Sequence, residues 1–173
     1  MEIKSITVDM GEFGPMKLNK TVEELCVLAV QDPLTQTYNR HVLSEVRSRL
    51  EREYVYMAMV DVDHLKQVND MYGHIVGDMV IKQVAEQLQN VSKMVFRLGG
   101  DEFLIISNKS LMDLKVDYAT VGAMFKPACL SFGDAMEAAD RLLYAAKHSR
   151  TPKADRHDYS PNDIRAIFGL PRI

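Results

Sequence analysis

Residues Tyr54-Val55-Tyr56-Met57-Ala58-Met59-Val60 are seven apolar positions in succession, followed at once by Asp61-Val62-Asp63. An amphipathic surface helix would break such a run with polar residues every three or four positions, and a half-exposed strand would alternate. The run reads as a strand buried on both faces, so the fold must supply cover above and below it. On the N-terminal side, Thr21 and Glu24 are spaced as a capping box ahead of Val22, Leu25, Cys26 and Ala29, which predicts a helix ending near Asp32-Pro33. A second helix is predicted from about Asn39 to Glu53, with Val42, Leu43, Val46 and Leu50 on one stripe. Residues 1–17, with Gly11, Gly14 and Pro15, read as a loose or weakly strand-like lead-in.

Beyond the buried strand, residues 61–77 are polar and punctuated by glycine. Ile75, Val76, Met79, Val80, Val84, Leu88 and Val91 then mark a long amphipathic helix. Two short apolar runs, Met94 to Phe96 and Phe103 to Ile106, flank Gly99-Gly100 and predict a hairpin. Tyr118 to Phe125 reads as another strand and Ala135 to Lys147 as another helix. A last helix is predicted in the tail, where Ser160 and Pro161 open it and Gly169 and Pro171 stop it. The sum is an α+β fold in which helices cover one side of a sheet. Residues 1–30 are a lead-in with a helix, 31–150 the main domain, and 151–173 a tail.

The chain has 173 residues with a formal net charge of -3, which offers no general electrostatic attraction for nucleic acid. No apolar run approaches the ~18 residues that span a bilayer, and the N-terminus lacks a signal-peptide pattern. A cytoplasmic protein that binds neither nucleic acid nor membrane is expected. Cys26 and Cys129 have no metal or disulfide spacing and are expected as free thiols in the core.

Two acidic clusters fall at strand ends: Asp61 and Asp63 after the buried strand, and Asp101 and Glu102 at the hairpin turn. Taken alone, each reads first as the ordinary composition of strand ends and turns. If the hairpin lies beside the buried strand, however, both clusters meet at one end of the sheet. Carboxylates converging from two segments suit Mg²⁺, which binds one or two protein carboxylates and completes its shell with water and phosphate oxygens. Lys66, Asn69, Gly73, His74, Gly77 and Asp78 follow, a pattern that can hold phosphate oxygens or can simply cap turns.

Together, Val60-Asp61-Val62-Asp63-His64-Leu65-Lys66-Gln67-Val68-Asn69-Asp70, Tyr72-Gly73-His74, Gly77-Asp78 and Arg97-Leu98-Gly99-Gly100-Asp101-Glu102-Phe103 strongly resemble the GGDEF domain of diguanylate cyclases. Asp32-Pro33-Leu34-Thr35 with Asn39-Arg40 resembles that family's opening motif, and Ala139-Asp140, Leu143-Tyr144 and Ala146-Lys147 its closing one. Four motifs in order over residues 30–150 make the likeness specific.

The resemblance implies a palm-like, ferredoxin-like sheet of the nucleotidyl cyclase type, and a homodimer that joins two GTP into cyclic di-GMP with release of pyrophosphate. It implies that Asp61 and Asp101 bind Mg²⁺, or Mn²⁺ in its place, with the Val62 carbonyl as a ligand and Glu102 in support. Asp101 or Glu102 would act as the catalytic base toward the ribose 3′-hydroxyl. Lys66, Lys147 and the His64 and Leu65 amides would hold phosphates, and Asn69 and Asp78 would read guanine. The alternative is a catalytically weak or inactive nucleotide-binding module of the same family with a regulatory role.

Five departures from the family pattern stand out, His64 in a place normally aromatic among them. Gln36-Thr37 replaces the usual Gly-Leu, and Arg150 follows Lys147 one residue early. The place of the family's product-inhibition motif reads Asn90-Val91-Ser92-Lys93, without its arginine and aspartate. Finally, only Ser107 to Asp117 joins the hairpin to the next strand, where the family carries a helix. Extended at ~3.3 Å per residue, that link can still return along the sheet. Met112 and Leu114 are expected to cover part of the face the missing helix leaves, and the tail helix near Ile164, Ile167 and Phe168 the rest.

Overall fold

The computed structural model describes residues 3–9, 15–53 and 55–149, with side chains from Thr21 onward within those ranges. A two-stranded antiparallel hairpin, β1 (Ile3–Asp9) and β2 (Pro15–Thr21), stands where a loose or weakly strand-like lead-in is expected from the sequence. It runs directly into α1 (Val22–Val30), whose capping box forms as predicted: the Thr21 hydroxyl accepts from the Glu24 amide, and the Glu24 carboxylate accepts from the Thr21 amide. No residue of α1 is buried.

The main sheet contains β3 (Tyr38–Asn39), β4 (Val55–Val62), β5 (Met94–Arg97), β6 (Glu102–Ser107) and β7 (Ala119–Lys126) in the spatial order β3-β5-β6-β4-β7. The apolar run is thus flanked on both sides, antiparallel to β6 and to β7. Ala58, Val60 and Val62 face α3 (Leu65–Tyr72) and α4 (His74–Val91), in a core that includes Val68, Val84, Leu88, Phe103 and Ile105. Met57 and Met59 face the other way, toward α2 (Arg40–Leu50) and α5 (Phe132–Ser149), packing with Phe96, Leu104, Phe132 and Ala139. Helices therefore cover both faces, not one. The reason is in β4 itself, because a strand apolar at every position must bury both of its sides.

The expected crossover without a helix is present. Leu114 packs against the core as expected, beside the buried Leu111 and Val116, whereas Met112, expected to share that cover, is exposed. Gln87 of α4 clamps the end of this link with both ends of its amide: its Oε1 accepts from the Asp117 N–H at 2.9 Å and its Nε2 donates to the Asp117 carbonyl at 3.5 Å. The tail helix expected over 160–173 lies outside the described residues. Cys26 and Cys129 are exposed, not in the core, since α1 buries none of its residues and Cys129 sits in the loop before α5. Among the described residues no helix is long and apolar enough to cross a membrane.

Candidate functional site

The acidic clusters meet at the end of the sheet where β4 stops. Asp61 pairs across the ladder with Glu102 on one side and Thr120 on the other. Beyond it, the Val62 N–H donates to the Asp101 carbonyl at 3.0 Å and the Asp63 N–H to the Tyr118 carbonyl at 2.9 Å. The strand end is pinned on both flanks, so the carboxylates of Asp61 and Asp101 are placed by main-chain bonds. The Thr120 hydroxyl, itself buried, donates to Asp63 Oδ1 at 2.5 Å.

Strand alternation puts Asp61 on the face shared with Met57 and Met59, the face that α5 covers. There the Lys147 ammonium, on the last turn of α5, lies 2.6 Å from Asp61 Oδ1. Burial pushes the Asp61 carboxyl above the ordinary carboxylate value; the bond and charge of Lys147 oppose that, and the charges of Asp101 and Asp63 add to it. Crowded, partly desolvated negative charge recruits a cation, and the lysine stands where one is drawn. Among the described residues no three His, Cys, Asp or Glu side chains form a ready metal cage. The neighbouring carboxylates of Asp61 and Asp101 instead have the chemistry Mg²⁺ needs, since it takes one or two protein carboxylates and leaves its other positions to water and phosphate.

After Asp63 the chain turns through His64, held in the left-handed region at φ 55, and enters α3, an eight-residue helix that the sequence reading leaves as polar loop. His64 makes no side-chain cap, so the amides of the first turn, Leu65 among them, are not met by a capping group from it. Lys66 is exposed on that turn. Asn69 lies later on α3, directly against Gly77 of α4: a Cβ on Gly77 would fall 1.9 Å from Asn69 Oδ1. That oxygen is buried with no hydrogen-bond partner. Asp78 follows, exposed on α4, and Glu102 is exposed at the start of β6. Asp61, Asp101 and Lys147 thus come together at the sheet end, and Asn69 is seated beside the glycine preceding Asp78.

One tie was not anticipated from the sequence. Arg97, two residues before Gly99, donates from Nη1 to Asp32 Oδ1 at 3.0 Å and from Nη2 to the Gly100 carbonyl at 2.7 Å. Asp32 Oδ1 also accepts from the Thr35 amide and hydroxyl and from the Leu34 amide, closing the Asp-Pro-Leu-Thr turn on itself. Burial would raise the Asp32 carboxyl, but the bonds from Arg97 and Thr35 together with the Arg97 charge outweigh it and hold it below its ordinary value. The opening turn and the hairpin turn are thereby locked to one guanidinium. The signal available in the sequence was an Asp with a Thr three residues on, a local turn motif.

The segment Asn90-Val91-Ser92-Lys93 lies at the opposite end of the sheet, where Val91, Ser92 and Lys93 border a cavity of about 640 Å³ together with Arg49, Ile106 and Lys109. That cavity is remote from the acidic cluster.

Comparison with known proteins adds the following. Residues 29–121 match the family described as "Diguanylate cyclase, GGDEF domain". The chain is 32% identical over 156 residues to the diguanylate cyclase DgcP of Pseudomonas aeruginosa, covering 70% of this chain and 23% of that protein. It is 29% identical over 167 residues to the diguanylate cyclase VdcA of Vibrio cholerae, covering 77% of this chain and 49% of that one. The chain therefore spans no more than about half the length of these two relatives. Among solved structures, the GGDEF domain of DgcB from Caulobacter crescentus, crystallised in complex with c-di-GMP, superposes with a TM-score of 0.60 at 26% identity, covering 69% of this chain and 88% of that one.

Proposed function

The chain belongs to the GGDEF family of diguanylate cyclases, and on that premise we propose that it condenses two GTP into cyclic di-GMP with release of two pyrophosphates. The observation that carries the proposal is the convergence of Asp61, near the end of β4, and Asp101, in the hairpin turn before β6, with Lys147 at the sheet end beside the first turn of α3.

Asp61, Asp101 and the Val62 carbonyl hold Mg²⁺, or Mn²⁺, with Glu102 in support. Bound there, the ion supplies charge neutralisation at the triphosphate and acidity at the attacking hydroxyl. Lys66, Lys147 and the His64 and Leu65 amides hold phosphate oxygens. Asn69 and Asp78 read the base: a carboxylate accepts from guanine N1–H and the 2-amino group, while adenine offers neither donor at those positions. Asp101 or Glu102 takes the proton of the ribose 3′-hydroxyl. The 3′-oxygen then forms a bond to the α-phosphorus of the GTP on a second subunit as the bond to pyrophosphate breaks, and the reverse attack closes the ring. Because each site holds one GTP, turnover requires a homodimer with the two sites face to face.

Phosphorus NMR of purified protein with GTP and Mg²⁺ tests this. Growth of pyrophosphate and of one phosphodiester resonance supports the proposal; GDP with orthophosphate, or an unchanged spectrum, contradicts it.

A further inference from the structure

We propose that Lys147 is a counter-ion with two positions: it holds the acidic cluster when cation and nucleotide are absent, and passes to the nucleotide phosphates when they arrive. The inference rests on the proposed phosphoryl-transfer reading and goes beyond it, because it gives one lysine two opposed effects on two ligands.

The geometry shows the first position and leaves the ammonium room to reach a second. The ammonium is 2.6 Å from Asp61 Oδ1, the same carboxylate proposed for the metal, and the Asp61 side chain is only 15% exposed. A divalent ion bound at that carboxylate competes with the ammonium, since both are drawn to the same charge and repel each other. The lysine can leave. Its side chain is 35% exposed, and it extends from the final turn of α5 beyond the residues that anchor the helix, Phe132, Ala135, Ala139 and Leu143. A lysine head is a compact charge on a flexible stem, suited to moving between partners. Its destination is set by chemistry, because the triphosphate brings new negative charge to the site while the metal removes the old.

A fixed structural tie between α5 and β4 would behave differently. Its removal would loosen the helix and leave cation binding unchanged or weaker. A two-position counter-ion competes with the cation and assists the nucleotide, so its removal must shift the two affinities in opposite directions.

The test uses the full chain and two variants, Lys147→Gln and Lys147→Met. Mn²⁺ binding without nucleotide is measured by electron paramagnetic resonance. Binding of 3′-deoxy-GTP, which lacks the attacking hydroxyl, is measured by calorimetry at saturating Mn²⁺. Both variants are expected to bind Mn²⁺ alone roughly two- to fivefold more tightly, the scale of a partly exposed ion pair. They are expected to bind 3′-deoxy-GTP roughly tenfold more weakly, the scale of a charged hydrogen bond. Mn²⁺ affinity that is unchanged or weaker in both variants, with wild-type nucleotide binding intact, overturns the two-position role and leaves the proposed function standing. Wild-type protein that binds no 3′-deoxy-GTP in the presence of Mn²⁺ overturns the functional reading and the transfer with it.

Discussion

Replacing Gly77 by alanine separates stability from nucleotide binding at one atom. A Cβ there would stand 1.9 Å from Asn69 Oδ1, 2.9 Å from its Cγ and 3.3 Å from Leu65 Cδ1. Ordinary carbon contacts are about 3.5–4.0 Å, so the Asn69 amide must swing away by well over an ångström. The obstacle is the end of a side chain, not backbone, and Asn69 Oδ1 has no hydrogen bond to lose. Gly77 lies within α4 at an ordinary helical φ, where alanine is favoured over glycine by about 1 kcal/mol. Stability should therefore stay within about 1 kcal/mol of wild type, a change in Tm of at most about 4 °C. GTP binding should suffer, because a displaced Asn69 forfeits one or two base contacts at about 0.5–1.5 kcal/mol each, roughly 2- to 100-fold in affinity. Calorimetry with GTP and ATP beside thermal melts gives both numbers. Asn69→Ala should reproduce the loss, and the double variant should add little to it. Unchanged GTP affinity in a well-folded Gly77→Ala protein would refute Asn69 as a base reader, and a fall in Tm beyond about 10 °C would refute the packing argument.

Gly122→Ala should behave in the opposite way, because its Cβ would fall 2.2 Å from the Leu143 amide nitrogen and 2.5 Å from the Ala139 carbonyl oxygen. Backbone cannot rotate aside, so denaturant titration should read a loss of about 3 kcal/mol or more as α5 is pushed off the sheet. Gln36 occupies the left-handed region at φ 60, where the family usually has glycine; Gln36→Gly should raise stability by about 0.5–1 kcal/mol in the same assay. Arg97→Met should cost about 1–3 kcal/mol at pH 7. Because the Asp32 carboxyl is held below its ordinary value of 3.8, its contribution is full above that value and is lost as pH falls through the lowered one, so the wild-type advantage should shrink in melts carried progressively below pH 3.8.

The parts of the fold legible in the sequence are those in which one physical demand dominates. Seven apolar residues required a strand buried on both faces, and the stripe from Val76 to Val91 required an amphipathic helix. Strand ends then put Asp61 and Asp101 side by side. Short elements held by special backbone were not legible: α3 is only eight residues, entered through a left-handed His64 and left at Gly73 with φ 84. Neither conformation leaves a periodic signal. The N-terminal hairpin lies in a stretch whose glycines left the reading at a loose or weakly strand-like lead-in. Long-range charge pairs were beyond reach as well, because Lys147 with Asp61 and Arg97 with Asp32 join distant segments that only the finished sheet brings together. The exposed cysteines show the converse error, since apolar character in a helix says nothing of whether a partner surface is present.

The most direct test of the account incubates wild-type protein and Asp101→Ala side by side with GTP and Mg²⁺ and identifies products by mass. Asp101 is one of several carboxylates crowding this sheet end, so its removal should leave the melting temperature nearly unchanged while abolishing turnover. The account predicts cyclic di-GMP from wild type and none from the folded variant; no cyclic dinucleotide from wild type, or an equal yield from both, would contradict it.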